Sequence, residues 1–357
     1  MTRPLQIQID LGNIAANARL ARELAPQGRL IGCVKADAYG HGMLEVAKVL
    51  ETEVEALGVA CLDEAILLRN AGSTHPILLL EGCFSADELH QARALDCWVV
   101  LHSHEQLEIY CDFENAPTNI WLKLDTGMHR LGFELSSLDQ VLARLEAKQA
   151  ALDIHLMTHF ACADETRNGF TQYQLDQFAQ AAKQTDYPAS LANSAGLLAW
   201  PEARSDWNRP GFMLYGVNPL DIETSDTQRL KPAMSMISEI ISVRDLAAGE
   251  GVGYNHAWHA EADSQIAVVA CGYGDGYPRQ ARNGTPVLVN GQMARTVGHI
   301  AMDMMMLDVT ELTEVDVGDK VELWGKNLSI ADVARHSDMS PYELMTRLPS
   351  RAPRIYL

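Results

Sequence analysis

Lys35 stands at the end of a short apolar run, in Ile31-Gly-Cys-Val-Lys-Ala-Asp-Ala-Tyr-Gly-His-Gly42. A lysine at the end of a strand is an amine delivered to a cleft, and desolvation there lowers its pKa toward the free base that attacks a carbonyl. Taken alone, such a residue is more often a solvated surface charge. Four further segments change that weighing: Lys123-Leu-Asp-Thr-Gly-Met-His-Arg-Leu-Gly132, Thr158-His-Phe-Ala161, Ala192-Asn-Ser-Ala-Gly196 and Arg209-Pro-Gly-Phe-Met-Leu-Tyr-Gly216. Each follows or overlaps an apolar run. In a ring of strand-helix units all of them would meet on the C-terminal rim, the face where such barrels keep their chemistry. Asn193, Ser194 and Gly211 supply an amide, a hydroxyl and a close backbone approach, a set suited to phosphate. None of the segments is a Walker loop or a G-x-G-x-x-G fingerprint, which disfavours a nucleotide.

The elements that must position these residues follow one rhythm over the first two thirds of the chain. Short apolar strands are expected at Ile31 to Val34, Ala56 to Ala60, Ile77 to Leu80, Trp98 to Leu101, Ile120 to Leu124, Ile154 to Thr158, Ser190 to Ala192 and Met213 to Gly216. Between them lie helical stretches at Met43 to Glu51, Leu62 to Asn70, Ala86 to Ala94, Ser136 to Ala147 and Phe170 to Gln184, with Ser85 and Ser103 as N-caps. Alternation of this kind implies a parallel sheet, and eight units match a closed (β/α)8 TIM barrel. Near Lys231-Pro232 the texture changes to strands separated by turns, with Met236 to Val243, Gln265 to Ala270, an Asn290-Gly291 hairpin turn and Val321 to Trp324 after Val317-Gly-Asp319. The expected organisation is a barrel over residues 1–230 followed by a mostly antiparallel β domain over 231–357.

Bulk composition narrows the function further. The chain has 357 residues, 47% of them hydrophobic, and 28 Lys plus Arg against 47 Asp plus Glu, a net charge of −19. That balance disfavours nucleic acid and anionic membranes as partners. The start of the chain has no apolar leader and no stretch is long enough to span a bilayer, so a cytoplasmic protein is expected. Its seven cysteines, an odd number without C-x-x-C spacing, read as reduced thiols. His102 and His104 have an H-x-H look without further ligands, so they are expected to be solvated residues at a helix start, and no metal site is expected. His41 is expected to be a structural hydrogen bonder, and the absence of a G-x-S-x-G elbow disfavours serine hydrolysis.

Five segments together carry a resemblance: Val34-Lys-Ala-Asp-Ala-Tyr-Gly-His-Gly42, Leu124-Asp-Thr-Gly-Met128, Arg209-Pro-Gly211, Gly272-Tyr-Gly-Asp-Gly276 and Ala301-Met-Asp303. From about Ile7 to Pro353 the chain resembles the alanine racemase family, pyridoxal 5'-phosphate enzymes with a barrel and a β-rich second domain. The resemblance implies that Lys35 holds the cofactor as an internal aldimine and is one catalytic base, with Tyr254, in Gly251-Val-Gly-Tyr-Asn255, as the other. It also implies that Tyr39, Ser194, Gly211 and Phe212 meet the phosphate, with Asn193 beside them, and that Arg209 faces the pyridine nitrogen. Arg130 would sit by the phenolic oxygen and the substrate carboxylate, which the Met302 backbone also contacts, and His159 would link Tyr254 to Arg209. Tyr273 would line the substrate entrance, and Lys123 is carbamylated in some members. The assembly implied is a homodimer with shared sites, each completed by the partner's Tyr254. Two departures stand out: Ser350 replaces a tyrosine near the C-terminus, and His299 stands where many members have arginine. A barrel decarboxylase of basic amino acids would use the same cofactor, but it would place a carboxylate where Arg209 stands. A barrel-only cofactor carrier would lack the residues after Lys231.

Overall fold

The computed structural model describes residues 3–148, 152–183 and 185–357. Contacts divide the chain into two units, one made of Ile14–Ala38 and Met43–Leu230, the other of the chain up to Asn13, Tyr39–Gly42 and Lys231–Leu357.

The first unit is the expected barrel. Eight parallel strands run Arg29–Cys33, Ala56–Val59, Ile77–Leu79, Cys97–Leu101, Asn119–Asp125, Asp153–Met157, Ala189–Ser190 and Trp207–Asn208 in chain order. Each pairs with its neighbour, and Trp207–Asn208 pairs back with Arg29–Cys33 to close the ring. Their interior holds a hydrophobic core of Ile31, Ala56, Leu78, Val100, Trp121, Met157 and Trp207. A fully buried side chain of this kind stabilises the fold by roughly 1.5–3 kcal/mol, which is why these strands read as continuous apolar runs. Trp121 stacks on His155 at 4.4 Å between centroids, and Trp98 and Trp207 close around them. The helices Leu62–Asn70 and Ala86–Ala94 have the expected bounds, and Ser85 and Ser103 cap theirs by accepting from Glu88 N and Gln106 N. The helix starting at Phe170 is observed to Ala182, and its expected end at Gln184 lies outside the described residues.

One expected strand is wrong. Met213 to Gly216 is a 3-10 turn, Phe212–Tyr215, ending in left-handed Gly216, and the eighth strand is instead the two-residue Trp207–Asn208. The run Phe-Met-Leu-Tyr is buried on every side, and a fully buried apolar run has no periodicity to separate a strand from a turn.

The second unit is an eight-stranded sheet in which Met234–Leu246 is the central long strand. A register shift between Ile240 and Ser242 lets its halves face different partners, Lys320–Trp324 and Ser264–Val269. Asn290 and Gly291, at φ 47° and 81°, form the expected tight turn joining Pro286–Val289 to Gln292–Val297. The organisation 1–230 and 231–357 needs two corrections: Tyr39–Gly42 groups with the second unit, and so does the start of the chain. The strand Gln6–Ile9 pairs antiparallel with Met234–Leu246 and parallel with Arg354–Tyr356, so it belongs to this sheet. Its alternation of polar Gln6 and Gln8 with buried Ile7 and Ile9 is the pattern of a half-covered antiparallel strand rather than of a barrel strand.

Candidate active site

The strand Arg29–Cys33 ends on buried Val34, whose amide donates to Gly58 O at 2.9 Å, and Lys35 follows, half-buried. Beyond Lys35 the backbone turns the wrong way for L-residues. Ala36, Asp37, Ala38 and Tyr39 have φ of 53°, 55°, 53° and 52°, a complete left-handed turn without glycine. At about 1–2 kcal/mol per residue, the four together cost roughly 4–8 kcal/mol, so the surroundings must over-determine the turn. Three contacts do so. Ala38 N donates to Val34 O at 2.8 Å, Asp37 Oδ1 accepts from Met43 N at 2.8 Å, and Glu64 Oε1 accepts from Ala36 N at 2.7 Å.

Four cations gather around the rim of this barrel. Arg209, following the eighth strand, is 4% exposed and spends its guanidinium on neutral acceptors: Ser190 O and Oγ at 2.8 and 2.5 Å, Thr158 O at 2.5 Å and Leu191 O at 3.3 Å. Burial pushes it down to about 10, so it stays cationic at neutral pH. Lys123 points inward from its strand, and burial together with Arg209, Arg130 and Lys35 lowers its amine to about 8. Burial and the same cations, led by Arg209, hold the His159 imidazole well below its ordinary value, so it is neutral. The exposed Arg130 leaves a tight turn in which Asp125 Oδ1 accepts from Gly127 N and His129 N, both at 3.0 Å. Burial pushes the Asp125 carboxyl up, but these amides and the His129 ring outweigh it and hold the carboxyl low.

Beside the arginine, Ser194 Oγ accepts from Gly211 N at 2.9 Å and Met213 N at 3.2 Å. With both acceptor positions engaged, what the hydroxyl still offers is its proton. The Gly211 amide therefore points at Ser194, so what Gly211 can offer a phosphate is the close approach of its backbone. Asn193 caps the helix Ser194–Ala199 by accepting from Gly196 N at 2.9 Å, and Phe212 is buried.

The remaining expected residues lie in the second unit. Tyr39 is half-buried with its ring 6.0 Å from that of Tyr342, and the buried His41 ring bonds Tyr39 O at 3.0 Å. Tyr254, on a 3-10 turn, is 70% exposed. With Tyr273, His299, Met302 and Asp303 it lines a cleft of about 1100 Å³. The loops bearing Tyr273 and Met302 are joined by Tyr273 N to Ala301 O at 3.0 Å and Gly274 N to Met302 O at 2.9 Å. Behind them buried Asp275 pairs with Arg3 and Arg351, each at 2.9 Å, and Arg351 also pairs with Asp303. Ser350 is exposed beside that arginine. His102 departs from expectation: it is half-buried and bonded to Glu81 O at 3.2 Å, and burial lowers its pKa.

Sequence reasoning missed three residues that act through the backbone. Ser190 anchors Arg209, Glu64 bridges two amides, and buried Gln174 holds the His159 loop by donating to His159 O at 3.1 Å and accepting from Ala161 N at 2.9 Å. Each is a common residue type in an unremarkable place, so no motif marks it.

Comparison with known proteins gives the same direction throughout. The model of the alanine racemase N-terminal domain matches residues 9–219 and that of the C-terminal domain matches residues 233–356. The alanine racemase of Chromohalobacter salexigens is 48% identical over 100% of this chain and 98% of its own length. The crystal structure of the biosynthetic alanine racemase from Pseudomonas aeruginosa superimposes with a TM-score of 0.96 at 45% identity, covering 100% of both chains. That of the Bartonella henselae alanine racemase with covalently bound pyridoxal phosphate does so at 0.91 and 28% identity, over 99% of each chain. An end-of-strand lysine in a cationic rim, a barrel joined to a β unit, and full-length similarity on both counts lead to one conclusion: the chain belongs to the alanine racemase family.

Proposed function

We propose that the chain interconverts L-alanine and D-alanine with pyridoxal phosphate on Lys35, and that Lys35 and the Tyr254 hydroxyl of a second copy are the two proton carriers. The observation that carries this reading is the gathering of Lys35, Lys123, Arg130 and Arg209 around one imidazole in a chain of net charge −19. Such a cluster calls for anions, and a phosphate, a phenolic oxygen and an amino-acid carboxylate are the anions this cofactor and substrate bring. The residues fit the group. Lys35 supplies the amine, Ser194 a hydroxyl donor, with Tyr39, Asn193, Gly211 and Phe212 around the phosphate, and Arg130 and the Met302 backbone would hold the substrate carboxylate. When bound, pyridoxal phosphate supplies a conjugated ring that delocalises charge from the substrate Cα.

The chain supplies orientation and protons. Arg209, permanently charged, disfavours a proton on a facing pyridine nitrogen, the opposite of what a carboxylate would do. The neutral His159 can accept at one ring nitrogen and donate at the other, and so can relay between Arg209 and a phenol. A positioned acid or base contributes roughly 10²- to 10⁴-fold, and racemisation needs one on each face of Cα. The exposed Tyr254, Tyr273 and Met302 suit a surface completed by a second copy, and a symmetric homodimer with shared sites accounts for them. Seven free cysteines suit a reducing, cytoplasmic setting.

The test is direct. The purified protein should show an absorbance band near the visible edge that borohydride abolishes, leaving a reduced adduct on Lys35, and it should abolish the optical rotation of L-alanine. Release of carbon dioxide, or retention of rotation with the band present, would overturn the reading.

A further inference from the structure

We propose that Glu64 aims Lys35: by bridging the amides of Ala36 and Ala60 it holds the left-handed turn that sets the direction of the lysine. The inference rests on Lys35 as the amine that takes the cofactor. The Ala36 N–H belongs to the peptide that joins Lys35 to Ala36, so fixing it fixes the plane from which the lysine side chain departs. Glu64 Oε1 accepts this N–H at 2.7 Å, and its Oε2 accepts Ala60 N, just past the neighbouring strand Ala56–Val59, also at 2.7 Å. On the other side Val34 N, one peptide further back, donates to Gly58 O at 2.9 Å, so the backbone before and after the lysine is tied to that same neighbouring strand.

The carboxylate is required, and size alone does not suffice. An ionised glutamate has two acceptor oxygens, and both are used here; glutamine would turn an NH₂ group against one of the two amides. The left-handed stretch makes the clamp necessary. Four residues with side chains adopt positive φ before Gly40 is reached, and without an external partner Ala36 would relax toward the right-handed region. Glu64 sits in the first turn of the helix Leu62–Asn70, where an acidic residue ordinarily needs no explanation beyond the helix dipole.

The experiment compares wild type, Glu64→Gln and Glu64→Ala as full-length proteins stripped of cofactor. One readout is the rate at which Lys35 condenses with added pyridoxal phosphate, forming the C=N bond and releasing one water, followed by visible-edge absorbance. A second is the rate at which an amine-acylating reagent labels Lys35 without cofactor, with melting temperature recorded beside it. Loss of the charged clamp should slow cofactor uptake roughly ten- to a hundredfold. Glu64→Gln should fare no better than Glu64→Ala, whereas a role in packing alone would be rescued by the glutamine. Adding Ala36→Gly to Glu64→Gln should recover most of the rate, since glycine takes the left-handed conformation without strain. Uptake by Glu64→Gln at the wild-type rate, or no recovery with Ala36→Gly, would overturn the inference. If Glu64→Ala does not fold, the isosteric glutamine decides. Wild type that takes up no cofactor at Lys35 would instead overturn the functional reading, and unchanged acylation of Lys35 across the variants would then overturn the role of Glu64 as well.

Discussion

Lys123 holds a charge under unfavourable conditions in the barrel. Buried and facing Arg209, Arg130 and Lys35, its amine falls from an ordinary 10.5 to about 8. The folded-state pKa is depressed, so the neutral amine is the form that suits the fold. The associated stability is complete above pH 10.5 and is lost as pH falls toward 8. At pH 7 the ammonium therefore costs the cofactor-free protein on the order of 3 kcal/mol. Lys123→Met should raise stability by about that amount at pH 7 in denaturant titrations, and the gain should shrink between pH 8 and pH 10.5. A gain that does not change with pH would refute the electrostatic account. The same depressed amine is well suited to carbamylation, which would exchange a fourth cation for an anion beside Arg130. At this scale the sequence singled out Lys35, Arg209 and Ser194 as candidates because each stands just past a strand. Glu64 and Gln174 were hidden because they act on backbone atoms, and backbone direction is not written in residue type; Ser190 was hidden because a serine does not announce which arginine it will meet.

At the scale of elements, the two loops carrying Tyr273 and Met302 approach so closely that only glycine fits between them. A Cβ on Gly272 would come within 2.3 Å of Ala301 O and 2.5 Å of Met302 C, both backbone atoms that cannot swing aside. Gly272→Ala should therefore push the Met302 loop away, lowering stability by about 1–3 kcal/mol. It should raise KM for alanine more than it lowers kcat, because the Met302 backbone would bind rather than react. Steady-state kinetics and thermal melting check this, and an unchanged KM would show that the loop pair does not set substrate binding. Seven of the eight barrel strands were legible because buried parallel strands are mostly apolar, even where Lys123 and His155 interrupt them. The eighth was lost to a more apolar neighbour, since Trp207–Asn208 is only two residues long and Phe212–Tyr215 outweighs it in hydrophobicity. Gln6–Ile9 carried the right local signal, alternation, but nothing in its sequence names the distant strand it joins.

For the whole molecule, the proposed arrangement to test is intermolecular. If the lysine of one copy works with the tyrosine of another, mixing inactive Lys35→Ala with inactive Tyr254→Phe and allowing exchange should restore up to about a quarter of the wild-type activity. This follows because half of a random mixture is heterodimer and each heterodimer keeps one intact site of two. No recovery after demonstrated subunit exchange would exclude shared sites. The net charge of −19 repels polyanions such as nucleic acid.

The strand Gln6–Ile9 carries a topological consequence. One sheet takes strands from both sides of the barrel segment in the sequence, so the barrel is a sequence insertion between them. Cleaving the chain at residue 230 would strip Met234–Leu246 of a neighbour and leave its backbone as an adhesive open edge. The two halves are thus not modules that could be separated or exchanged at a single seam; any transplant of the barrel must cross junctions on both sides and around Tyr39–Gly42.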